Sequence, residues 1–270
     1  MRKTTTLLLL AVLLLLNGCS SVPITGRSQL NLVSDEQVLQ SSIASYNSFM
    51  TSAKQANAIS TDKTRTAQVV RVGQKIAAAT EAYLRSTGLE NEIKNFAWEF
   101  NLVKSDELNA WCMPGGKIVV YEGLMKIVGS DDDLAVVLGH EVAHAVAKHS
   151  NERMSQQVAA QAGASVLGAV LSGQSYQTQT IAQQVYGLGA QYGVMQPFSR
   201  KHESEADKMG LVLMTIAGYN PQNAITFWQK MSANSQTKIP EFLSSHPSHE
   251  TRIKDLTKWV PQVKAQYGQK

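Results

Sequence analysis

Cysteine is almost missing from this chain. Two occur in 270 residues, Cys19 and Cys112, which excludes a disulfide framework as the means of holding the fold. Charge of one sign is equally scarce: 25 Lys and Arg stand against 21 Asp and Glu, with no basic block and no basic stripe interleaved with aromatics. Nothing therefore argues for nucleic acid as a partner. Internal repeats are absent, and the only compositional bias is a mild excess of Gln. Long hydrophobic runs reduce to one, Leu7 to Leu16, too short to cross a bilayer comfortably. What remains, 43% hydrophobic and 17% charged residues, is globular composition with enough length for one well-packed core.

The N-terminus is built for export. Arg2, Lys3 and Thr4 to Thr6 lead into the apolar run, the pattern of a secretory signal peptide over residues 1–18. The run closes on Leu16-Asn17-Gly18-Cys19, which resembles a bacterial lipobox and implies acylation of Cys19 as the new N-terminus. Ser20 and Ser21 follow without an aspartate, which resembles the pattern sorted to the inner leaflet of the outer membrane, facing the periplasm. Loss of Arg2 and Lys3 leaves 23 Lys and Arg against 21 Asp and Glu. Cys112, left without a partner, reads as a small buried apolar residue. The expected layout is a signal peptide, a lipidated polar tether over 19–33, a catalytic domain over 34–262 and a tail over 263–270.

Ser34-Asp35-Glu36-Gln37 is a capping box that opens a helix to about Met50. Val69, Val72, Ile76, Ala79 and Tyr83 recur at helical spacing between Thr66 and Arg85, ahead of Gly88. The period then becomes two: Phe96, Trp98, Phe100 and Leu102 predict a strand, and Lys117 to Tyr121 a second after the Pro114-Gly115-Gly116 turn, in a small antiparallel sheet. Ser130 and three aspartates open a long helix. Residues 151–198 are rich in Gln, Ala and Gly and could gate a cleft as a lid, and the stretch from Ala162 to Leu171 reads as a helical hairpin or a lid. A further helix is expected from Ser199 to Ala217, another after Asn220-Pro221, and a last one capped by Ser248. The class is α+β and mostly helical.

Within the long helix stands His140-Glu141-Val142-Ala143-His144. Residues four apart project from one helix face, so both imidazoles can reach one metal ion, with Glu141 beside them as general base. Zinc on three protein ligands keeps a fourth position for water, whose pKa falls to about 7. The bland alternatives are two core histidines, or a structural zinc site with four protein ligands; the latter leaves Glu141 and Asp207 without a purpose. A third ligand histidine six residues beyond His144 is missing, because Ser150 holds that position and Ala147 replaces the intervening glycine. His149 lies about 140° around a continuous helix from His144 and is expected at the surface or at a cap. Glu203-Ser204-Glu205-Ala206-Asp207 offers a carboxylate instead, with Glu203 and Asp207 on one face.

These two motifs together resemble the HtpX and CAAX prenyl protease family of gluzincin metallopeptidases. The likeness extends to Asn109-Ala110-Trp111-Cys112-Met113-Pro114-Gly115-Gly116, to Val119, Tyr121, Gly123 and Leu124, and to His246-Pro247 with Arg252. Thr25-Gly26-Arg27-Ser28-Gln29-Leu30 looks like the opening segment of the lipoprotein-type and mitochondrial members. The resemblance implies a zincin-like fold with one Zn2+, Glu203 as third ligand and Asp207 orienting a ligand histidine. Asn109 and Ala110 would lie on an edge strand that pairs with substrate, and Gly115 and Gly116 would serve close approach or a plain turn. His246 and Arg252 would sit at the metal mouth, where they stabilise an oxyanion or, for His246, cap the metal. His202 and His249 are expected at the surface, and Glu205 in a salt bridge or at the surface. The implied activity is endoproteolysis of unfolded or misassembled envelope proteins. The rival is an envelope assembly factor with latent proteolysis. Neither membrane spans in the domain nor a C-terminal repeat domain is expected.

Overall fold

Local signals start the helices where the sequence predicts. The computed structural model describes residues 19–191, 195–233, 246 and 251–268. Ser34 accepts a hydrogen bond from the Gln37 amide (3.2 Å) and opens α1, Asp35–Gln55, which runs a turn past Met50 to the left-handed Asn57. Asp62 caps α2, Lys63–Ser86, through the Arg65 amide, and Val69, Val72 and Ile76 of α2 are fully buried. Satisfying these otherwise orphaned amides is worth about 1 kcal/mol per cap.

The sheet is mixed, not antiparallel throughout. β3 (Glu99–Val103) pairs in parallel with β5 (Lys117–Tyr121), while β4 (Ala110–Met113) pairs antiparallel with β5 and forms the far edge. After β3 the chain skips one place to lay down β4, then turns through Gly115 and Gly116, both at positive φ, and returns between the two. Two reversals of direction leave β5 running with β3. Phe96 and Trp98 fall before the regular strand, Phe96 packing on Trp98 and Trp98 stacking on Phe100, and Gly73 of α2 leaves the space that the Phe100 ring fills.

The short α3 (Glu122–Met125) leads to α4, Asp131–Val146, capped by Ser130 and buried along almost its whole length. At Lys148 the backbone turns left-handed (φ 54°) and starts α5, His149–Val170, which forms a hairpin with α6, Tyr176–Ala190. Tyr186 of α6 donates to the Ala160 carbonyl across it (3.1 Å). Ala162 to Leu171 is the last part of α5 and its C-cap, one arm of this hairpin.

α7 (Gln196–Ile216) lies against α4, and α8 (Asn223–Ala233) and α9 (Arg252–Tyr267) close the core around Leu134, Leu138, Leu213 and Phe227. α8 begins two residues after Pro221, because Asn220 caps the preceding turn through the Gln222 amide. α9 starts after Thr251 and runs through Pro261 to Tyr267, so the expected boundary at 262 falls inside a helix. Ser248 lies outside the described residues.

Residues 19–33, expected as a lipidated polar tether, fold down on the body. β1 (Cys19–Ser21) and β2 (Ser28–Leu30) form a hairpin turned at Ile24 and Gly26, and the Leu32 and Val33 amides donate to Ser155 of α5. Among the described residues no helix is long and apolar enough to cross a membrane.

Candidate metal centre

Gly139 of α4 and Gly210 of α7 allow the two helices to touch backbone to backbone; a Cβ on Gly210 would come within 2.9 Å of the His140 amide nitrogen. This close approach puts the two sequence motifs face to face. His140 and His144 present Nε2 atoms 3.1 Å apart. From α7, Glu203 brings Oε2 to 3.3 Å from His140 Nε2 and Oε1 to 3.4 Å from His144 Nε2. His246 Nδ1 lies 3.2 Å from both Glu203 oxygens and 3.4 Å from His140 Nε2. One ligand atom from each of these four residues can be chosen so that all lie within 4.8 Å of one another.

Around this cluster the carboxylates and cations are paired. Asp207, one turn beyond Glu203, has Oδ1 2.9 Å from His140 Nδ1. A carboxylate only accepts, so Nδ1 carries a proton, and in the neutral, ligating imidazole Nε2 turns its lone pair to the cluster. Arg252 donates Nε–H to Asp207 Oδ2 (2.6 Å) and Nη2–H to Glu203 Oε2 (3.3 Å), and its guanidinium lies over the Trp228 ring at 4.1 Å. The side chain is buried, with Nε and Nη2 on these two carboxylates and Nη1 without a hydrogen bond among the described residues.

Glu141 is 2% exposed, and its Oε1 is buried without a hydrogen bond, 3.5 Å from His246 Nε2. Burial raises the pKa of its carboxyl. Burial also works against charge on His140 and Glu203. Asp207 and Glu203 nevertheless hold His140 up at about 9, and the three imidazoles hold Glu203 well below the carboxylate range. Burial, helped by the neighbouring His140 and His149 and opposed by Glu203, drives His144 well below the ordinary histidine value. Two imidazole nitrogens, a carboxylate kept ionised and an unpaired buried carboxylate oxygen make a donor set that fits zinc with a base beside it.

The structure corrects two histidine assignments. His149, expected at the surface or at a cap, is buried at the first position of α5 with Nδ1 2.8 Å from His144 Nδ1. The 140° offset presumed one unbroken helix, whereas the left-handed Lys148 redirects the chain so that His149 begins α5. His202, also expected at the surface, is 2% exposed, stacks on His149 at 4.2 Å, and pairs with Glu152 at 2.9 Å. Glu205 forms the salt bridge expected of it, with Arg27 (2.8 Å), and meets His149 Nε2 at 3.1 Å. Arg27 also reaches Glu152 (2.7 Å). A signal for this network stood in the sequence: His149-x-x-Glu152 and His202-x-x-Glu205 are matched pairs on two helices, and they bond crosswise. His249 lies outside the described residues. Ala110 is fully buried on the edge strand, Asn109 accepts the Ala110 amide on its side chain (2.9 Å), and burial raises the thiol pKa of Cys112.

Comparison with known proteins bears on the same residues. The family model described as Peptidase family M48 matches residues 63–260, which contain both helices of the cluster. This chain belongs to peptidase family M48. The matched domain is thereby a zinc metallopeptidase domain of α+β class. It is similar to the mitochondrial metalloendopeptidase OMA1 of Schizosaccharomyces pombe, at 35% identity over 63% of this chain and 49% of the relative. With the human mitochondrial metalloendopeptidase OMA1 the identity is 32% over 89% of this chain and 46% of the relative. The beta-barrel assembly-enhancing protease of Yersinia pestis is 31% identical over 62% of this chain and 35% of that protein. The chain thus spans about half, or less, of the length of these relatives.

Proposed function

We propose that this protein is a zinc metalloendopeptidase that cuts unfolded or misassembled proteins of a bacterial cell envelope, held by an acylated Cys19 to the periplasmic face of the outer membrane. In this reading His140, His144 and Glu203 hold the metal, which supplies Lewis acidity toward the scissile carbonyl and its attacking water. Glu141 takes the proton on its unpaired Oε1 and returns it to the leaving amine. Asp207 keeps His140 in the ligating tautomer, and Arg252 fixes Asp207 and Glu203 from behind. The open side of β4, beginning at Ala110, offers its backbone to an extended substrate.

The carrying observation is the buried Glu141 Oε1, without a hydrogen bond among the described residues, beside two imidazoles and an ionised carboxylate. Kinship with the HtpX and CAAX prenyl protease branch rests on the motif segments around Asn109 and His246. Substrate and location rest on the lipobox-like Cys19 and on relatives named for beta-barrel assembly enhancement. Casein degradation by the whole chain, lost on chelation and restored by zinc, tests the activity. Chelator-insensitive cleavage would sink it.

One observation favours a second reading. His246 Nδ1 lies 3.2 Å from both Glu203 oxygens and 3.4 Å from His140 Nε2; in this second reading it would cap the metal's fourth position and make the protein latent or chiefly an assembly factor. His246→Ala then raises casein turnover. If His246 stabilises the oxyanion instead, turnover falls.

A further inference from the structure

The structure assigns His149 a positioning role: it orients the His144 imidazole for metal binding, and Arg27 of the N-terminal hairpin locks it through Glu205. This rests on the metal reading of the His140, His144 and Glu203 cluster.

The hydrogen bonds determine one another. With His144 Nε2 turned to Glu203 and His140, its Nδ1 must carry the proton, and the only atom set to accept it among the described contacts is His149 Nδ1, at 2.8 Å. An accepting Nδ1 leaves the His149 proton on Nε2, and Nε2 faces Glu205 Oε2 at 3.1 Å. Glu205 accepts in turn from Arg27 Nε (2.8 Å) and from the Thr25 hydroxyl. Arg27 spends its two remaining nitrogens on Glu152 (2.9 and 2.7 Å), and Glu152 holds His202, on which the His149 ring is stacked. Every torsion that could rotate His149 is thereby constrained.

The arrangement repeats the logic on the other ligand. His140 donates to Asp207, and Asp207 is held by Arg252. His144 donates to His149, His149 to Glu205, and Glu205 is held by Arg27. One relay closes on α9 and the other on residues 25–27, so the hairpin before the catalytic domain is a working part of its metal centre.

The test uses the whole chain. Zinc affinity is read by competition with a chromophoric chelator, and ligand geometry by the visible spectrum of the cobalt-substituted protein. Partners of this kind typically contribute 10- to 100-fold to metal affinity. His149→Leu is expected to weaken zinc binding by about that range and to shift the cobalt bands. His149→Gln, whose amide can accept from His144 and donate to Glu205, is expected to restore binding to within about threefold. Arg27→Met, which takes the guanidinium from Glu205 and Glu152, is expected to weaken binding by about tenfold with the cobalt bands broadened. Melting of the metal-free variants separates folding from positioning. Wild-type zinc affinity and cobalt spectra in both His149→Leu and Arg27→Met overturn the proposal while leaving the metal site intact. A wild-type chain that binds no zinc removes the metal reading itself, and the proposal with it.

Discussion

Gly210→Ala should damage the metal centre more than the fold. The added Cβ would lie 2.9 Å from the Gly139 carbonyl carbon and the His140 amide nitrogen, and 3.1 Å from His140 Cα. Ordinary contact begins near 3.4 Å, and both partners are backbone, so α4 and α7 must part by roughly 0.5 Å. Such overpacking costs about 1–3 kcal/mol, offset by roughly 1 kcal/mol from replacing glycine inside a helix. The net loss is then about 0–2 kcal/mol, at most a few degrees of melting temperature for a chain of this size. The displaced residue is His140 itself, whose 2.9 Å bond to Asp207 and 3.3 Å approach to Glu203 both cross the parted interface. Misplacement of about 1 Å can cost on the order of 100-fold in rate, so half of that predicts about a tenfold fall in zinc affinity and in kcat/KM. The assay pairs chelator competition and casein cleavage with thermal melting. Gly187→Ala, with nothing within 4 Å of the new methyl, is the control. A Gly210→Ala protein with wild-type zinc affinity and turnover would refute the reasoning that the glycine contact sets the ligand geometry.

Two further outcomes follow from the buried charges. Burial by itself would raise the Glu152 carboxyl, but His202 and Arg27 hold it down at about 2. The stabilisation is fully present above the unfolded value near 4.5 and is lost as pH falls toward 2. At up to about 3 kcal/mol it should appear as acid-sensitive stability that Glu152→Gln abolishes in denaturant titrations between pH 5 and 3; parallel curves for both proteins would contradict it. Asp207→Asn, which keeps the shape but weakens the tie to His140 and to Arg252, should lower zinc affinity 10- to 100-fold with little change in melting; unchanged affinity would remove Asp207 from the site.

Much of this was legible before any coordinates. The caps at Ser34 and Ser130, the β5 strand and the helical spacing around Val69 to Ile76 are local signals, and the helices begin close to where those residues put them. His140, Glu141, His144, Glu203 and Asp207 come together because both motifs obey helical spacing, and the facing glycines bring the two helices into contact. What stayed hidden depends on the path of the chain between elements. The parallel pairing of β3 with β5 follows from β4 crossing to the far edge, which no alternation reveals. The burial of His149 follows from one left-handed residue at Lys148, and that of His202 from its crosswise pairing with Glu152. The docking of residues 25–27 stayed hidden for a related reason: Arg27 is an ordinary charged residue in sequence, and only the folded pair of Glu152 and Glu205 gives it a buried partner.

The central claim separates holding the metal from using it, and Glu141→Gln tests that division most directly. Glu141 touches no ligand in the relays to His140 and His144, so the variant should retain one zinc per chain by metal analysis while casein cleavage falls by at least about a hundredfold, as loss of a general base predicts. A Glu141→Gln protein that binds its zinc and still cleaves at the wild-type rate would contradict the account.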